Sequence, residues 1–249
     1  MEANRFVSWI IRLARNVSQN LLHSAGFELR RVRPAEDTFN WLRTLDIRTV
    51  IDIGANTGQF ATQIHGILPE ATIYAFEPIK DCFAQLVETM KDVPNFRAFD
   101  IGLGSEASET EIHRSKYSPS SSILLMDQLH QEAFPFTKEK TVEKITISRL
   151  DDIAGDLKIA DNLLVKIDVQ GFEDHVFAGG QNVIQKAKIL IVEISFKTLY
   201  VGQPLFDQIY AITKAMGFNY HGNWTQLLNP VDGSILQADG IFIKGNEGA

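Results

Sequence analysis

The sequence predicts an α/β fold, a mainly parallel sheet covered by helices on both faces. Short β-branched apolar runs alternate with helix-patterned segments, the pattern of strands joined by crossover helices. The runs are apolar almost throughout, as strands buried on both faces are. A glycine-bearing loop lies between the first run and the helix that follows it. The 249 residues suffice for one large domain of this kind, or at most two small ones. A content of 45% hydrophobic and 22% charged residues is that of an ordinary globular protein.

Taken in order, residues 5–25 carry Phe6, Trp9, Ile10, Leu13, Val17, Leu21 and Leu22 at helical spacing, and Gly26 ends the pattern. Six arginines against two glutamates make the first 33 residues basic. Residues 1–40 are therefore expected to be an amphipathic helical extension, and residues 41–249 the main domain. The apolar face of the helix suits packing on that domain. Its basic face would also suit peripheral contact with an anionic membrane or a partner.

The first strand is Thr49 to Ile53, and a helix from Phe60 to Leu68 follows its Gly-bearing loop. Thr72 to Phe76 is the second strand, closed by Glu77-Pro78. A helix over 80–91 presents Phe83, Leu86, Val87 and Met90 on one face, and Phe96 to Phe99 is the third strand. Glu109 to Arg114 and Glu143 to Ser148 alternate like half-exposed strands around a turn-rich stretch, Tyr117 to Ser122, so an inserted hairpin or lid is expected here. Leu163 to Ile167 and Ile189 to Val192 are two further buried strands. A helix with Phe206, Ile209, Tyr210, Thr213 and Met216 on one face ends at Gly217. Strands around Phe218 to His221 and Gly240 to Lys244 finish the sheet.

Several function classes fall away. No apolar run approaches the roughly 20 residues of a membrane-spanning helix, and the N-terminus lacks the basic-then-apolar order of a secretory signal. Cys82 is the only cysteine, so an intrachain disulfide and a cysteine-based zinc site are excluded. A buried place in a helix is expected for it, and a cytoplasmic location for the chain, with peripheral attachment at the inner face of the membrane if the first helix binds lipid. The net charge is −7 although the first 33 residues are basic, so the body is acidic and ill suited to a nucleic-acid substrate.

The chemistry concentrates at Asp52-Ile53-Gly54-Ala55-Asn56-Thr57-Gly58, which follows a strand and opens a helix. Gly54 allows a tight turn, Asn56 tolerates the left-handed conformation, and Gly58 permits close packing. Such a loop offers backbone N–H groups to a nucleotide-type ligand. Glu77 follows Gly58 by 19 residues, at the end of the next strand, where a carboxylate accepts hydrogen bonds from ribose hydroxyls. Together these point to an adenosine-type ligand, with NAD and S-adenosylmethionine (SAM) as the choices. Asn56 stands where a dinucleotide loop has the glycine that admits pyrophosphate. Asp52 suits an ammonium or sulfonium and opposes a phosphate. Both favour SAM over NAD.

The stretches Val50 to Gln59, Phe76-Glu77-Pro78 and Lys166-Ile167-Asp168-Val169-Gln170-Gly171-Phe172-Glu173 resemble the successive motifs of FkbM-type methyltransferases. Ser121-Ser122-Ile123, Arg149-Leu150-Asp151-Asp152 and Ile191-Val192-Glu193 fall where that family has similar residues. The resemblance runs from about Val50 to Lys244. It implies a class I, Rossmann-like methyltransferase fold with a mainly parallel seven-stranded sheet whose last strand is antiparallel. It also implies O-methylation of a sugar, polysaccharide or secondary-metabolite hydroxyl. Carried onto this chain, it makes Asp52, Gly54, Asn56 and Gly58 the methionine-binding loop, gives the ribose to Glu77 and sets Asp100 toward the adenine edge. Gln170 is a departure, since the family more often has Glu there, so Gln170 is given no proton-transfer role.

An alcohol nucleophile loses its proton as it is methylated, so a positioned base helps. Asp168, at the end of the fourth sheet strand, is the first candidate, with Lys166 placed to orient it. Glu193, at the end of the fifth strand, and His221 are the alternatives. No His pair or carboxylate cluster shows metal-ligand spacing, so no catalytic metal is expected, although Asp168 and Glu193 could converge on Mg²⁺. Trp224 suits stacking on a sugar ring or ordinary packing. Two readings from other classes stand beside the methyltransferase: an NAD-dependent oxidoreductase, and a SAM-binding protein of this fold without chemistry.

Overall fold

The computed structural model describes residues 39–245, except residues 116–117, 135–136 and 138–139 and the side chain of Lys140. The helix expected over residues 5–25 lies outside the described residues. The chain divides after Thr38, and Phe39–Ala249 is one compact unit.

In chain order the strands are β1 (Thr49–Ile53), β2 (Thr72–Phe76), β3 (Phe96–Phe99), β4 (Gly102–Leu103), β5 (Ser108–Ser115), β6 (Lys140–Ser148), β7 (Leu163–Ile167), β8 (Ile189–Ser195), β9 (Phe218–Leu228) and β10 (Ile235–Lys244). The helices are α1 (Gln59–Ile67), α2 (Lys80–Thr89), α3 (Gln128–Ala133), α4 (Leu150–Ile153), α5 (Glu173–Gly179), α6 (Gln181–Ile184) and α7 (Phe206–Ala215). Seven strands form the main sheet in the order β3-β2-β1-β7-β8-β10-β9. All its pairings are parallel except those of β10, which runs antiparallel to β8 and β9. The fold is that of a class I, Rossmann-like methyltransferase, with the last strand reversed.

Side chains of β1 and β7 alternate between two faces that are both covered by helices, so these strands are buried at every position. Ile51, Ile53, Val165 and Ile167 join Val176, Phe177, Ile184 and Ile209 of α5, α6 and α7 on one face. Val50 and Leu164 join Phe60, Ile64, Ile67 and Leu86 of α1 and α2 on the other. In α2 the buried residues are Cys82 and Leu86, whereas Val87, expected on the inner face, is exposed. The stripe that faces the core runs Ile79, Cys82, Leu86, Met90, which turns Val87 to solvent. Cys82 is buried as expected, and burial, first among its causes, pushes its thiol up to about 11.

The inserted hairpin is present as β5 and β6, paired antiparallel. It is larger than a hairpin, because β4 pairs with β6 in parallel and makes a second, three-stranded sheet. Among the described residues no helix is long and apolar enough to cross a membrane.

Candidate active site

The chain leaves β1 toward β2 and β3 on one side and returns through β7 on the other, so the carboxyl ends of β1 and β7 flank a topological switch point. A cavity of about 340 Å³ opens there. Gly54 to Asn56, Glu77, Lys166 and Asp168 line its floor, and Ser118, Ser121, Ile145 and Ile147 line it from the inserted segment. Its size falls within the range of small-molecule sites.

Gly54 is required for two reasons. Its φ is +80°, and a Cβ there would lie 1.8 Å from the carbonyl oxygen of Asp168. The missing side chain is what lets β1 and β7 approach at the cavity floor. Asn56 takes φ +48° and donates its backbone N–H to Glu77 Oε2 at 2.8 Å. Its Oδ1 accepts from Thr57 N and from Ser118 Oγ, tying the loop to the inserted segment. Gly58, at φ +93°, starts α1 and faces Leu86 of α2. It shapes the loop by packing and does not line the cavity.

Glu77 lines the cavity yet is only 4% exposed. Each carboxylate oxygen accepts one backbone N–H, Oε1 from Ile79 and Oε2 from Asn56, both at 2.8 Å. Burial pushes its pKa up to about 7, against the pull of those two bonds. Asp52 is fully buried in β1, below the cavity and not on its lining. Neither of its oxygens accepts a hydrogen bond, and its nearest cation, Lys166 Nζ, is 4.0 Å away. Burial raises Asp52 to about 6; the Lys166 charge opposes this, and those of Asp168 and Asp239 add to it.

A prediction follows for the unliganded protein. Glu77 and Asp52 hold protons more tightly folded than unfolded, so the native state binds the extra protons between the ordinary carboxylate pKa and about 7. Stability contributed by these groups is therefore present at low pH and lost as pH rises through that window. The thermal midpoint is expected to fall between pH 5 and pH 7.5, and Glu77→Gln to flatten the decline. A midpoint that rises equally in both proteins across this range contradicts it.

Asp168 ends β7 and faces the cavity. Lys166 Nζ donates to its Oδ2 and Gln170 Nε2 to its Oδ1, both at 2.9 Å. Burial works against the Lys166 charge, but Asp168, Asp52 and Asp239 more than reverse this and hold its pKa above the ordinary lysine value. Gln170, at φ +55°, donates also to Glu193 Oε1 at 2.8 Å and accepts from the Tyr200 hydroxyl at 2.8 Å. One amide thus bridges two carboxylates, an arrangement that a third carboxylate at this position could not make. Glu193 Oε2 is buried and accepts nothing. Burial and the nearby Asp168, Glu173 and Asp239 charges raise Glu193 well above the ordinary value.

A second cavity of about 280 Å³ adjoins the first and shares Pro119, Asp168, Gln170, Thr225 and Asp239 with it. Glu193, His130, Leu227 and Gln237 line only the second. Asp168 and its amide partner therefore stand on the boundary between two adjoining chambers.

Two anticipated residues lie elsewhere. His221 is exposed and tilts against Trp41, with ring centroids 5.3 Å apart, away from both cavities. The expected strand ended at His221, which would bring it to the sheet's carboxyl edge; β9 runs on to Leu228, so His221 is mid-strand, and Thr225 reaches the cavities instead. Asp100 follows the edge strand β3 and is exposed; Gly102 and Leu103 line the cavity on that side. Trp224 lines the cavity as a packed tryptophan, stacked on Phe39 at 3.6 Å and donating Nε1–H to Gln63.

Two further acidic residues join the site: Asp239, unremarked in the sequence, and Glu173, noted there only as the end of the Lys166–Glu173 motif. Asp239 sits opposite Glu193 in the β10–β8 register, and burial raises its pKa against the Lys166 charge. Its signal was an aspartate inside an apolar strand. Glu173 accepts the N–H groups of Val169 and Gly171, each at 3.1 Å, and so pins the loop that carries Gln170. Among the described residues no group of three or more His, Cys, Asp or Glu side chains is arranged to hold a metal ion.

The methyltransferase FkbM domain model matches residues 52–220. The 2-O-methyltransferase NoeI of Sinorhizobium fredii (strain NBRC 101917 / NGR234) is 26% identical over 160 residues, 62% of this chain and 66% of that protein. Methyltransferase 1 of Beauveria bassiana (strain ARSEF 2860) is 28% identical over 143 residues, 52% of this chain and 57% of that protein. The matches thus span less than two thirds of either relative's length. Among solved structures, precorrin-6y C5,15-methyltransferase from Geobacter metallireducens GS-15 aligns with a TM-score of 0.42 at 11% identity, covering 84% of each chain.

Proposed function

We propose, from the premise that this chain belongs to the FkbM methyltransferase family, that it is a SAM-dependent O-methyltransferase acting on a hydroxyl of a sugar, polysaccharide or secondary metabolite. The observation that carries the reading is the pair of adjoining cavities with Asp168 on their shared wall. The first suits SAM. Glu77 keeps lone pairs for two ribose hydroxyls beyond the N–H groups it already accepts. Asp168, Asp239 and the underlying Asp52 outnumber Lys166, which favours a sulfonium and an ammonium over a pyrophosphate. That charge balance supports SAM over NAD. That the NoeI relative is a 2-O-methyltransferase supports O-methylation.

SAM supplies an activated methyl group on sulfur. The protein's part is to align the acceptor oxygen, exclude water and take the hydroxyl proton. Asp168 takes that proton, with Lys166 and Gln170 fixing the carboxylate in place. Glu193, tied to the same amide, is the second proton-holding group. No metal takes part in this reading: turnover is expected to survive EDTA, and loss in EDTA restored by Mg²⁺ overturns that.

Titration calorimetry with S-adenosylhomocysteine tests the cofactor half. Glu77→Ala is expected to weaken binding at least about tenfold, the loss of roughly two hydrogen bonds to a charged acceptor. NAD is expected to give no thermal stabilisation where S-adenosylhomocysteine does. Undiminished binding by Glu77→Ala, or stabilisation by NAD alone, refutes the assignment. Binding of S-adenosylhomocysteine without product across a broad hydroxyl panel would favour the non-catalytic reading.

A further inference from the structure

The second cavity is more acidic than a neutral alcohol needs. Asp168, Glu193 and Asp239 line it, and among the described residues no lysine or arginine does. Lys166 lines the first cavity and is engaged by Asp168. The Gln170 amide is used up by Asp168, Glu193 and Tyr200. Glu193 Oε2 remains buried on this wall with no donor. Burial favours the protonated carboxyl there, and an ammonium placed against it restores the carboxylate and satisfies it. Leu227, Ala238 and Pro119 offer apolar contact to a carbon skeleton on the same walls.

We propose that this cavity seats the methyl acceptor and selects a hydroxyl compound carrying a protonated amine, against neutral analogues and more strongly against anionic ones. The acceptor role rests on the methyltransferase reading; the charge preference belongs to the cavity itself. The ammonium lies against Glu193 and Asp239 while the hydroxyl turns toward Asp168 on the shared wall. A carboxylate or phosphate on the acceptor would face three acidic groups, and among the described residues no lysine or arginine on the lining would receive it.

Three matched probes test this on the full chain: the methyl glycosides of glucosamine, glucose and glucuronic acid. Their binding is read by calorimetry with and without S-adenosylhomocysteine, so no turnover is needed. The amine is expected to bind at least about tenfold tighter than the neutral sugar, a charge-assisted contact against a neutral one, and the acid not to bind. Glu193→Gln is expected to remove most of the amine's advantage, read as the ratio of amine to neutral-sugar affinity within the same variant. Asp239→Asn gives the same comparison should Glu193→Gln not fold. Equal affinity for amine and neutral sugar overturns the proposal, as does binding of the acid, or no binding by any of the three. A chain that binds the amine but not S-adenosylhomocysteine keeps the cation-binding site and loses the methyltransferase reading.

Discussion

Asp168→Asn is expected to lower turnover about a thousandfold while S-adenosylhomocysteine affinity changes by no more than about threefold, the pattern of a lost general base. The amide cannot take the acceptor's proton. It also disturbs the hydrogen bonds around it. Lys166 Nζ and Gln170 Nε2 each donate to one carboxylate oxygen of Asp168. An Asn offers one acceptor and one NH₂, so one of the two donors meets a donor. Gln170 cannot turn over to compensate, because Glu193 and Tyr200 fix which end is the amide nitrogen. Stopped-flow or endpoint methylation with a responsive acceptor measures the first quantity and calorimetry the second. Equal losses in both would show that Asp168 serves cofactor binding, and Glu193 would then inherit the role of base.

Gly54→Ala is expected to destabilise the protein by about 4 kcal/mol, from roughly 1–2 for a left-handed alanine and the rest from overpacking. The added methyl would lie 1.8 Å from the Asp168 carbonyl oxygen. That carbonyl has little room to retreat, because the Asp168 N–H is bonded to Ile53 O at 3.0 Å and holds the strand end in place. For a domain of this size the thermal midpoint should fall by about 10 °C. Cofactor affinity should fall with it, since β1 and β7 must part at the cavity floor. A variant with an unchanged midpoint would mean that the two strand ends are not in contact in solution.

Much of the framework was legible because it depends on local pattern. The β1, β2, β3 and β7 strands and the Cys82 environment follow from runs of apolar residues whose burial needs no distant partner to be inferred. The Gly54–Gly58 loop and Glu77 were readable because a tight turn and a carboxylate at a strand end are local features. His221 and Asp100 lie off both cavity linings because of strand length and edge position, which neighbouring strands set. The length of β9 comes from pairing with β10 across a bulged register, a non-local matter.

By itself the sequence determined the parallel α/β architecture, the glycine turn after β1, and the likeness to FkbM methyltransferases, since residue type and short spacing decide all three. The tertiary structure decided which side chains share the site. It set Asp52 beneath the cavity, level in the β1–β7 register with Lys166, whose longer side chain reaches the lining while the short carboxylate stays fully buried. It brought Asp239 opposite Glu193 through the reversed last strand. It made Gln170 a bridge between two carboxylates, because a left-handed backbone pinned by Glu173 aims the amide at both. Such convergence depends on strand order and close approach across more than twenty residues of chain, where residue type and local spacing carry no information.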